Sequence, residues 1–262
     1  MFVHDFLEEA AQKNALLMIS PYTKLVLGLG SIILVLFSPN FIVPLILAGT
    51  MSFITIFYAK INPFFYLRLL SIPFGFALLS VLVIILLSGG NEVLWSYTLF
   101  SLLPLSVTME SLEKGMLVFF RVFGGMCALY FISLTTPMTD LFGVMRRVKI
   151  PDLFIDLSMI IYRFIFIFMG KAHQVHHAQQ MRLGYSKPAE AIRSYSMLFG
   201  SIFITSWDAG EHYIRAMDCR CYNGRFAKLT TYNPVEWRTM TGVIVYLTGI
   251  LILILITADI HP

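Results

Sequence analysis

Long apolar runs separated by short polar turns fill the first half of this chain and return near its end. A helix needs about 20 apolar residues to cross the hydrocarbon core of a bilayer, because that core is about 30 Å thick. Five runs approach or reach this length and predict membrane-spanning helices: Lys24–Ser38, Phe41–Ala59, Leu69–Ser88, Gly115–Thr135 and Met240–Ala258. The pattern therefore predicts an all-α, polytopic membrane protein.

Two further apolar stretches do not fit a simple span. Val93–Val107 is short and contains Pro104, which favours a re-entrant or interfacial segment over a crossing helix. Leu153–Gly170 carries Asp156 and Arg163, so we expect it to be buried in protein or half-submerged.

The composition supports membrane insertion. Hydrophobic residues make up 58% of the 262 residues and charged residues only 13%, whereas a soluble domain carries about 25% charged residues. So few charges cannot cover a water-exposed surface, and a lipid bilayer is the expected surrounding. The basic residues are not interleaved with an aromatic platform, so the sequence does not indicate nucleic-acid binding.

Basic residues predict the orientation. Thirteen lysines and arginines lie between Thr136 and Arg238, whereas the turns Ser38–Asn40 and Ser88–Glu92 contain none. Because cytoplasmic loops are enriched in lysine and arginine, this segment is predicted to be cytoplasmic. Five spans then place the N-terminus inside and the C-terminus outside an inner membrane. The predicted domains are 1–136 (transmembrane), 137–238 (cytoplasmic) and 239–262 (a final transmembrane helix).

The cytoplasmic segment is predicted to hold a short amphipathic helix and two long helices. Pro137 ends the fourth span, because proline removes a backbone donor. Gly184 is predicted to adopt the left-handed conformation that caps the first long helix. The predicted helices are Leu141–Val148, Asp152–Leu183 and Ser186 to about Cys221.

The second long helix carries an apolar stripe with three- and four-residue spacing. At 1.5 Å per residue, such a helix is about 45 Å long, so the two long helices are expected to cross beneath the membrane domain. The packing residues predicted on this helix are Tyr195, Phe199, Ile202, Phe203, Tyr213 and Met217.

Both long helices end in similar motifs. Ala178 is followed by Arg182 and Gly184, and Ala216 is followed by Arg220 and Gly224. An arginine in the last turn complements the helix dipole, which is a sufficient structural explanation for either end alone. Two such ends also suggest docking, because a guanidinium binds carboxylates and carbonyl groups on a partner.

The order of these motifs resembles the transmembrane T component of energy-coupling factor (ECF) transporters, specifically the CbiQ type of cobalt and nickel importers. In that family, two Ala-x-x-x-Arg-x-Gly-like motifs end the coupling helices and dock onto two cytoplasmic ATPases. The sequences Thr135-Thr136-Pro137 and Tyr162-Arg163-Phe164 are similar to further family motifs. Cys219 and Cys221 depart from the alanine and glycine that are usual in the family.

The resemblance implies a non-catalytic coupling subunit. It would transmit the motion of two ABC-type ATPases to a membrane substrate-binding subunit (CbiM-like), for cobalt or nickel uptake. The chain has no Gly-x-x-x-x-Gly-Lys-Ser/Thr motif, so ATP and Mg²⁺ are expected on the partner subunits. No cofactor and no metal are expected on this chain, and the docking residues implied are Ala178, Arg182, Gly184, Ala216, Arg220 and Gly224.

Several alternatives stay open at this point. The chain could be a shared T component for vitamin uptake, or an autonomous carrier or channel, although it lacks paired broken helices. An intramembrane enzyme is disfavoured, because the spans hold no set of catalytic residues. The sequence does not separate cobalt from nickel, nor does it give the number of ATPases.

Three kinds of residue have both a functional and a structural explanation. His173 with either His176 or His177 places two imidazoles on one helical face at a spacing that suits a metal pair, but polar surface explains them. Cys219 and Cys221 could bind a soft metal, although small residues at a helix end are the simpler explanation. Arg121 lies within the fourth span, where it is either functional or extends to the outer interface towards Glu110 and Glu113.

Overall fold

The computed structural model describes residue 11 and residues 14–87, 93–99, 103–222 and 236–260. The helices within these residues are α1 (Pro21–Phe37), α2 (Ile42–Phe53), α3 (Pro63–Leu87), α4 (Met109–Thr135), α5 (Met138–Arg147), α6 (Asp152–Met181), α7 (Pro188–Cys219) and α8 (Trp237–Ile260). A 3-10 turn, Ala15–Met18, precedes α1, and α2 continues into a π-helical turn, Ile54–Tyr58. The helical, polytopic fold class predicted from the sequence is confirmed.

Each of the five predicted spans corresponds to a helix: α1, α2, α3, α4 and α8. Among the described residues, four helices are long and apolar enough to cross a membrane: Pro63–Leu86, Met109–Thr135, Asp152–Met181 and Trp237–Thr257. The third of these, α6, is not among the predicted spans, because the sequence analysis places it in the cytoplasmic segment; it qualifies by length and composition. α1 and α2 are shorter apolar helices.

The segment Val93–Val107 contains a feature that the sequence analysis did not predict. β1 (Val93–Leu99) pairs antiparallel with β2 (Leu103–Thr108), and Tyr97 lies opposite Leu105 in the register. β-Branched and aromatic residues, which favour strands, are frequent in this stretch. The periodicity of such a short apolar run does not distinguish strand from helix, which is why a hairpin was not foreseen.

The structure divides into two compact units, one within Met1–Leu141 and Tyr232–Pro262 and the other within Phe142–Thr231. In the first unit, α4 packs against α1, α2 and α3. Cys127, Phe131 and Leu134 on α4 are buried in its largest apolar cluster. Gly124 allows this packing, because a Cβ there would lie 2.9 Å from the Pro44 carbonyl oxygen.

Arg121 has a structural partner within this unit. Its Nε donates a hydrogen bond of 3.1 Å to the Ser38 carbonyl oxygen, and Nη2 donates to the same oxygen. Ser38 follows the last residue of α1, where carbonyl groups have no intrahelical partner. Arg121 therefore caps α1 and does not pair with Glu110 or Glu113.

The second unit contains α6 and α7 as an antiparallel pair. The Phe164 and Tyr213 rings lie 5.6 Å apart, centroid to centroid, and Gln179 Nε2 donates to the Ser194 carbonyl oxygen at 3.1 Å. From the first pair to the second, the residue number rises on α6 and falls on α7, so the two helices run in opposite directions. Each long helix therefore ends beside the beginning of its neighbour.

Ion pairs fix the beginning of α6. Arg146 Nη2 lies 2.6 Å from the Asp156 carboxylate, and Arg146 Nε lies 3.3 Å from Asp152. Asp156 is only 1% exposed, so its charge needs this partner. Burial, the Asp156 carboxylate and Tyr213 raise the pKa of the Tyr222 hydroxyl, which locates the end of α7 near the Arg146–Asp156 pair.

Candidate docking site: the ends of the two long helices

The two long helices end in the same backbone conformation. Arg182 has φ −91° and ψ 14°, and Arg220 has φ −95° and ψ 12°. The next residue adopts a positive φ at both ends, 59° at Leu183 and 55° at Cys221. We call these two segments the first helix end (residues 178–185) and the second helix end (residues 216–222).

Backbone hydrogen bonds at the two ends also match. Gly184 N donates to the Gln179 carbonyl oxygen at 2.9 Å, and Tyr222 N donates to the Met217 carbonyl oxygen at 3.1 Å. This six-to-one bond is typical of a Schellman C-cap. Each cap fixes the backbone of its arginine, so the Cα–Cβ bond of both side chains has the same direction relative to the helix.

The prediction that Gly184 adopts the left-handed conformation was wrong by one position. Leu183 has the positive φ instead, and Tyr222 stands at the second helix end where Gly184 stands at the first. A glycine signal usually marks the left-handed residue, which explains the misplacement. Gly224, the predicted counterpart of Gly184, lies outside the described residues.

Gly184 is required for a different reason, namely close approach. A Cβ at this position would lie 2.7 Å from Ser194 Oγ and 3.1 Å from the Gln179 carbonyl oxygen. Glycine therefore lets the first helix end pack directly against the beginning of α7. No local pattern indicates this contact, because Ser194 is ten residues away along the chain.

Side chains hold the first helix end in place. Ser194 Oγ donates to the Gly184 carbonyl oxygen at 2.8 Å, while Gln179 Nε2 donates to the Ser194 carbonyl oxygen. The Tyr185 hydroxyl donates to Gln179 Oε1 at 2.7 Å, so its oxygen is left to accept from His176 Nδ1 at 2.9 Å. We call Ser194, Gln179, Tyr185 and His176 the Ser194 network.

One of the three histidines, His176, has a structural role within this network. His176 uses Nδ1 to reach Tyr185, and its ring stacks near Tyr195 at a centroid distance of 6.3 Å. Within the described ranges, no group of three or more His, Cys, Asp or Glu side chains is arranged to hold a metal ion. Burial and Tyr195 raise the pKa of the Tyr185 hydroxyl.

The two arginines are exposed and lack partners within the described part of the chain. No hydrogen bond or ion pair there involves the Arg182 or Arg220 side chain, and both residues are exposed. By contrast, Arg215 pairs with Glu211 at 2.9 Å. Ala178 and Ala216, one turn before each arginine, are also exposed and add little bulk to that surface.

The neighbours of the arginines differ between the ends. At the first helix end, Met181 is 85% exposed and Leu183 is 72% exposed. At the second, Cys219 and Cys221 are exposed free thiols. One arginine is therefore flanked by large apolar side chains and the other by small polarisable ones.

The predicted packing residues divide into two groups. Ile202, Tyr213 and Met217 are half-buried, and the Tyr195 ring lies 5.1 Å from that of Tyr185. Phe199 and Phe203 are exposed within the chain, at 68% and 67%. The buried residues on α7 are Ser194 and Leu198, which the stripe prediction did not include.

Comparison with known proteins identifies the family. Residues 12–232 match the family model described as CbiQ, cobalt transport protein. The chain belongs to this family. It is a multi-pass membrane protein and an ECF-type transmembrane component, as its relatives also indicate.

Three relatives illustrate the range of the family. The chain is 41% identical over 227 residues to a putative fused cobalt transport protein CbiMQ of Methanocorpusculum labreanum, covering 87% of this chain and 38% of that protein. It is 26% identical to the cobalt transport protein CbiQ of Salmonella typhimurium, covering 79% and 92% of the two chains. It is also 26% identical to the ECF transporter transmembrane protein EcfT of Lactococcus lactis, covering 76% of each chain. The chain thus spans well under half of the fused relative.

Proposed function

We propose that this chain is the non-catalytic coupling subunit of an ATP-driven importer for cobalt or nickel. The observation that carries the proposal is the pair of exposed, unpartnered arginines, each fixed by the same helix cap. A guanidinium without an intrachain partner is available for a charge-assisted bond to another protein. Two cytoplasmic ABC-type ATPases are the partners proposed for the two ends.

The antiparallel arrangement of α6 and α7 supports two separate docking points. Each helix ends beside the beginning of the other, so the two arginines lie at opposite ends of the pair. A helix of 30 residues, such as α6, is about 45 Å long. Docking points this far apart suit two ATPase subunits, and a closing motion of those subunits would move both helix ends.

The proposed membrane partner is a substrate-binding subunit of the CbiM kind. The fused relative carries CbiM and CbiQ in its name, which supports a close association of the two components. ATP and Mg²⁺ would bind to the ATPases, and the metal ion would be transported cargo. The proposed orientation in the inner membrane has the N-terminus inside and the C-terminus outside.

The test is a double charge reversal, Arg182→Glu with Arg220→Glu. The variant is co-expressed with the ATPase and membrane subunits from its native operon and purified in mild detergent. We expect the ATPases to be lost and ATP-driven Co²⁺ or Ni²⁺ uptake into vesicles to stop, while the chain still inserts. The control is Lys171→Glu, which reverses an exposed charge on α6 eleven residues before Arg182, outside both helix ends.

Two outcomes would contradict the proposal. Retention of the ATPases by the double variant would remove the docking role of the arginines. Recovery of the wild-type chain with vitamin-binding membrane proteins would keep the coupling role but replace the metal substrate, in line with the similarity to EcfT.

A further inference from the structure

A cavity of about 490 Å³ lies in the first unit, between α1, α4, α8 and the π-helical turn. Its volume falls within the range of about 300–1,000 Å³ that is usual for small-molecule sites. Most of the lining is apolar; Thr23 and Lys24 are the lining residues in the first turn of α1, and Tyr58, Thr239 and Tyr246 are the other lining residues with polar side-chain groups. The apolar side chains include Leu16, Ile19, Leu27, Ile54, Phe131 and Val243.

The polar end of the cavity contains side chains without partners. Thr23 lines the cavity, is only 3% exposed, and its Oγ1 has no hydrogen bond. Ser20, the N-cap residue of α1, is equally buried and its Oγ is also unpaired. A buried hydroxyl without a partner is unfavourable. Ser20 is not among the lining residues, so it is the Thr23 hydroxyl that favours a ligand able to accept a hydrogen bond in the cavity.

The same end of the cavity carries positive charge. Lys24 lines the cavity and is 3% exposed, and its Nζ donates to the Thr135 carbonyl oxygen at 2.9 Å. An ammonium group has three donors, and Lys24 forms no ion pair of 4 Å or less within the described ranges; the Asp140 carboxylate interacts with it electrostatically from a greater distance and offsets part of its charge. The Ser20 side chain does not cap α1, so first-turn amides and the positive end of the helix dipole add to this charge.

The apolar part of the cavity limits the kind of anion that fits. Leu27 lies one turn beyond Thr23, and Phe131 and Val243 continue the apolar wall. A small inorganic anion would leave this wall uncovered, whereas a lipid acyl chain would bury it. Basic pockets between transmembrane helices are known to bind anionic lipid head groups.

We propose that the cavity binds one anionic phospholipid. Its phosphate would accept hydrogen bonds from Thr23 and Lys24, and one acyl chain would lie against Leu27 and Phe131. The site is independent of the proposed ATPase docking, because its residues all belong to the first unit. The bound lipid would tie the beginnings of α1 and α8 together.

The experiment measures lipids retained by the purified full-length protein, by native mass spectrometry after equilibration with phosphatidylglycerol or phosphatidylcholine of identical chains. We expect one phosphatidylglycerol per chain and at least tenfold weaker retention of phosphatidylcholine. Lys24→Gln should remove this preference, while Lys114→Gln, which changes an exposed lysine on α4, should keep it.

A second variant guards against misfolding. Gly242 lines the cavity, and a Cβ added there meets no atom within 4 Å, so Gly242→Leu should fill the space without a clash. We expect it to lose retained lipid at least tenfold. Gly249→Leu is the matched control, because Gly249 is also on α8 with open space but does not line the cavity.

Three results would overturn the proposal. The first is equal lipid retention by the Gly242→Leu and Gly249→Leu variants. The second is equal retention of the two lipids by the wild-type protein. The third is displacement of phosphatidylglycerol by millimolar inorganic phosphate, which would assign the polar end to a free anion instead of a lipid.

Discussion

The first and second helix ends share a backbone and differ in almost everything around it. Both place an arginine before a left-handed residue and close with a six-to-one hydrogen bond. The first is held against the beginning of α7 by the Ser194 network. α7 begins at Pro188, six residues after Arg182. The second has Tyr222 in the position of Gly184 and lies near Asp156.

This difference distinguishes the helix cap, which presents the arginine, from the neighbouring side chains, which stabilise the segment around it. The cap sets the backbone from which each arginine side chain leaves its helix, and both ends share it together with the exposed alanine one turn earlier. The side chains around each cap determine how firmly the end is attached to the neighbouring helix. We therefore expect arginine substitutions to act alike at the two ends and neighbouring substitutions to act differently.

The largest expected effects come from single charge reversals. Arg182→Glu and Arg220→Glu should each weaken ATPase retention by at least tenfold, because a charge-assisted bond worth about 1.5–3 kcal/mol is replaced by repulsion. Quantitative pull-down of the assembled transporter measures the loss. A loss confined to one end would show that the shared cap does not define the docking function.

The next effect distinguishes the ends by their packing. Gly184→Ala should destabilise the first helix end by about 1–3 kcal/mol, because its Cβ would collide with Ser194 Oγ and crowd a backbone carbonyl. We expect faster amide hydrogen exchange around Arg182, which measures this loss of local stability. Tyr222→Ala, at the matching position, adds no such clash and should leave exchange near Arg182 unchanged.

Adding Ser194→Ala to Gly184→Ala provides an internal check on this explanation. Removing the hydroxyl relieves the shortest contact, so part of the lost protection near Arg182 should return. If the double variant exchanges faster than Gly184→Ala alone, the hydrogen bond from Ser194 matters more than the steric contact.

A smaller effect tests the hydrogen bonds that only the first helix end has. Tyr185→Phe keeps the ring but removes the hydroxyl that links Gln179 to His176. The expected loss is about 0.5–1.5 kcal/mol, measured by thermal unfolding. Tyr195→Phe belongs to the same ring cluster and loses no hydrogen bond found within the described residues, so it should have almost no effect.

The smallest effect concerns the left-handed residues themselves. Leu183→Gly and Cys221→Gly remove a side chain from a positive-φ position, and each should change stability by no more than about 1 kcal/mol, towards greater stability. Similar shifts in unfolding temperature at both ends are expected. Clearly unequal shifts would mean that the two caps are not energetically equivalent.

Local pattern was enough to predict much of this protein. Helices α1, α2, α3, α4 and α8 follow from apolar run length, because a bilayer span and a helix rise set that length directly. The two long helices and the arginine in each last turn follow from proline, glycine and apolar spacing. Each of these signals lies within a few residues of the helix or helix end that it predicts.

Only the tertiary structure decided how the distant parts meet. The left-handed position fell on Leu183 instead of Gly184, and Gly184 leaves the space that Ser194 on the next helix occupies. The antiparallel pairing of α6 with α7 buried Leu198 and left Phe199 exposed, although both are apolar. Arg121 donates a hydrogen bond to the carbonyl oxygen of Ser38, which lies 83 residues earlier in the chain. A contact between residues far apart in sequence depends on how whole helices pack, and no local spacing records it.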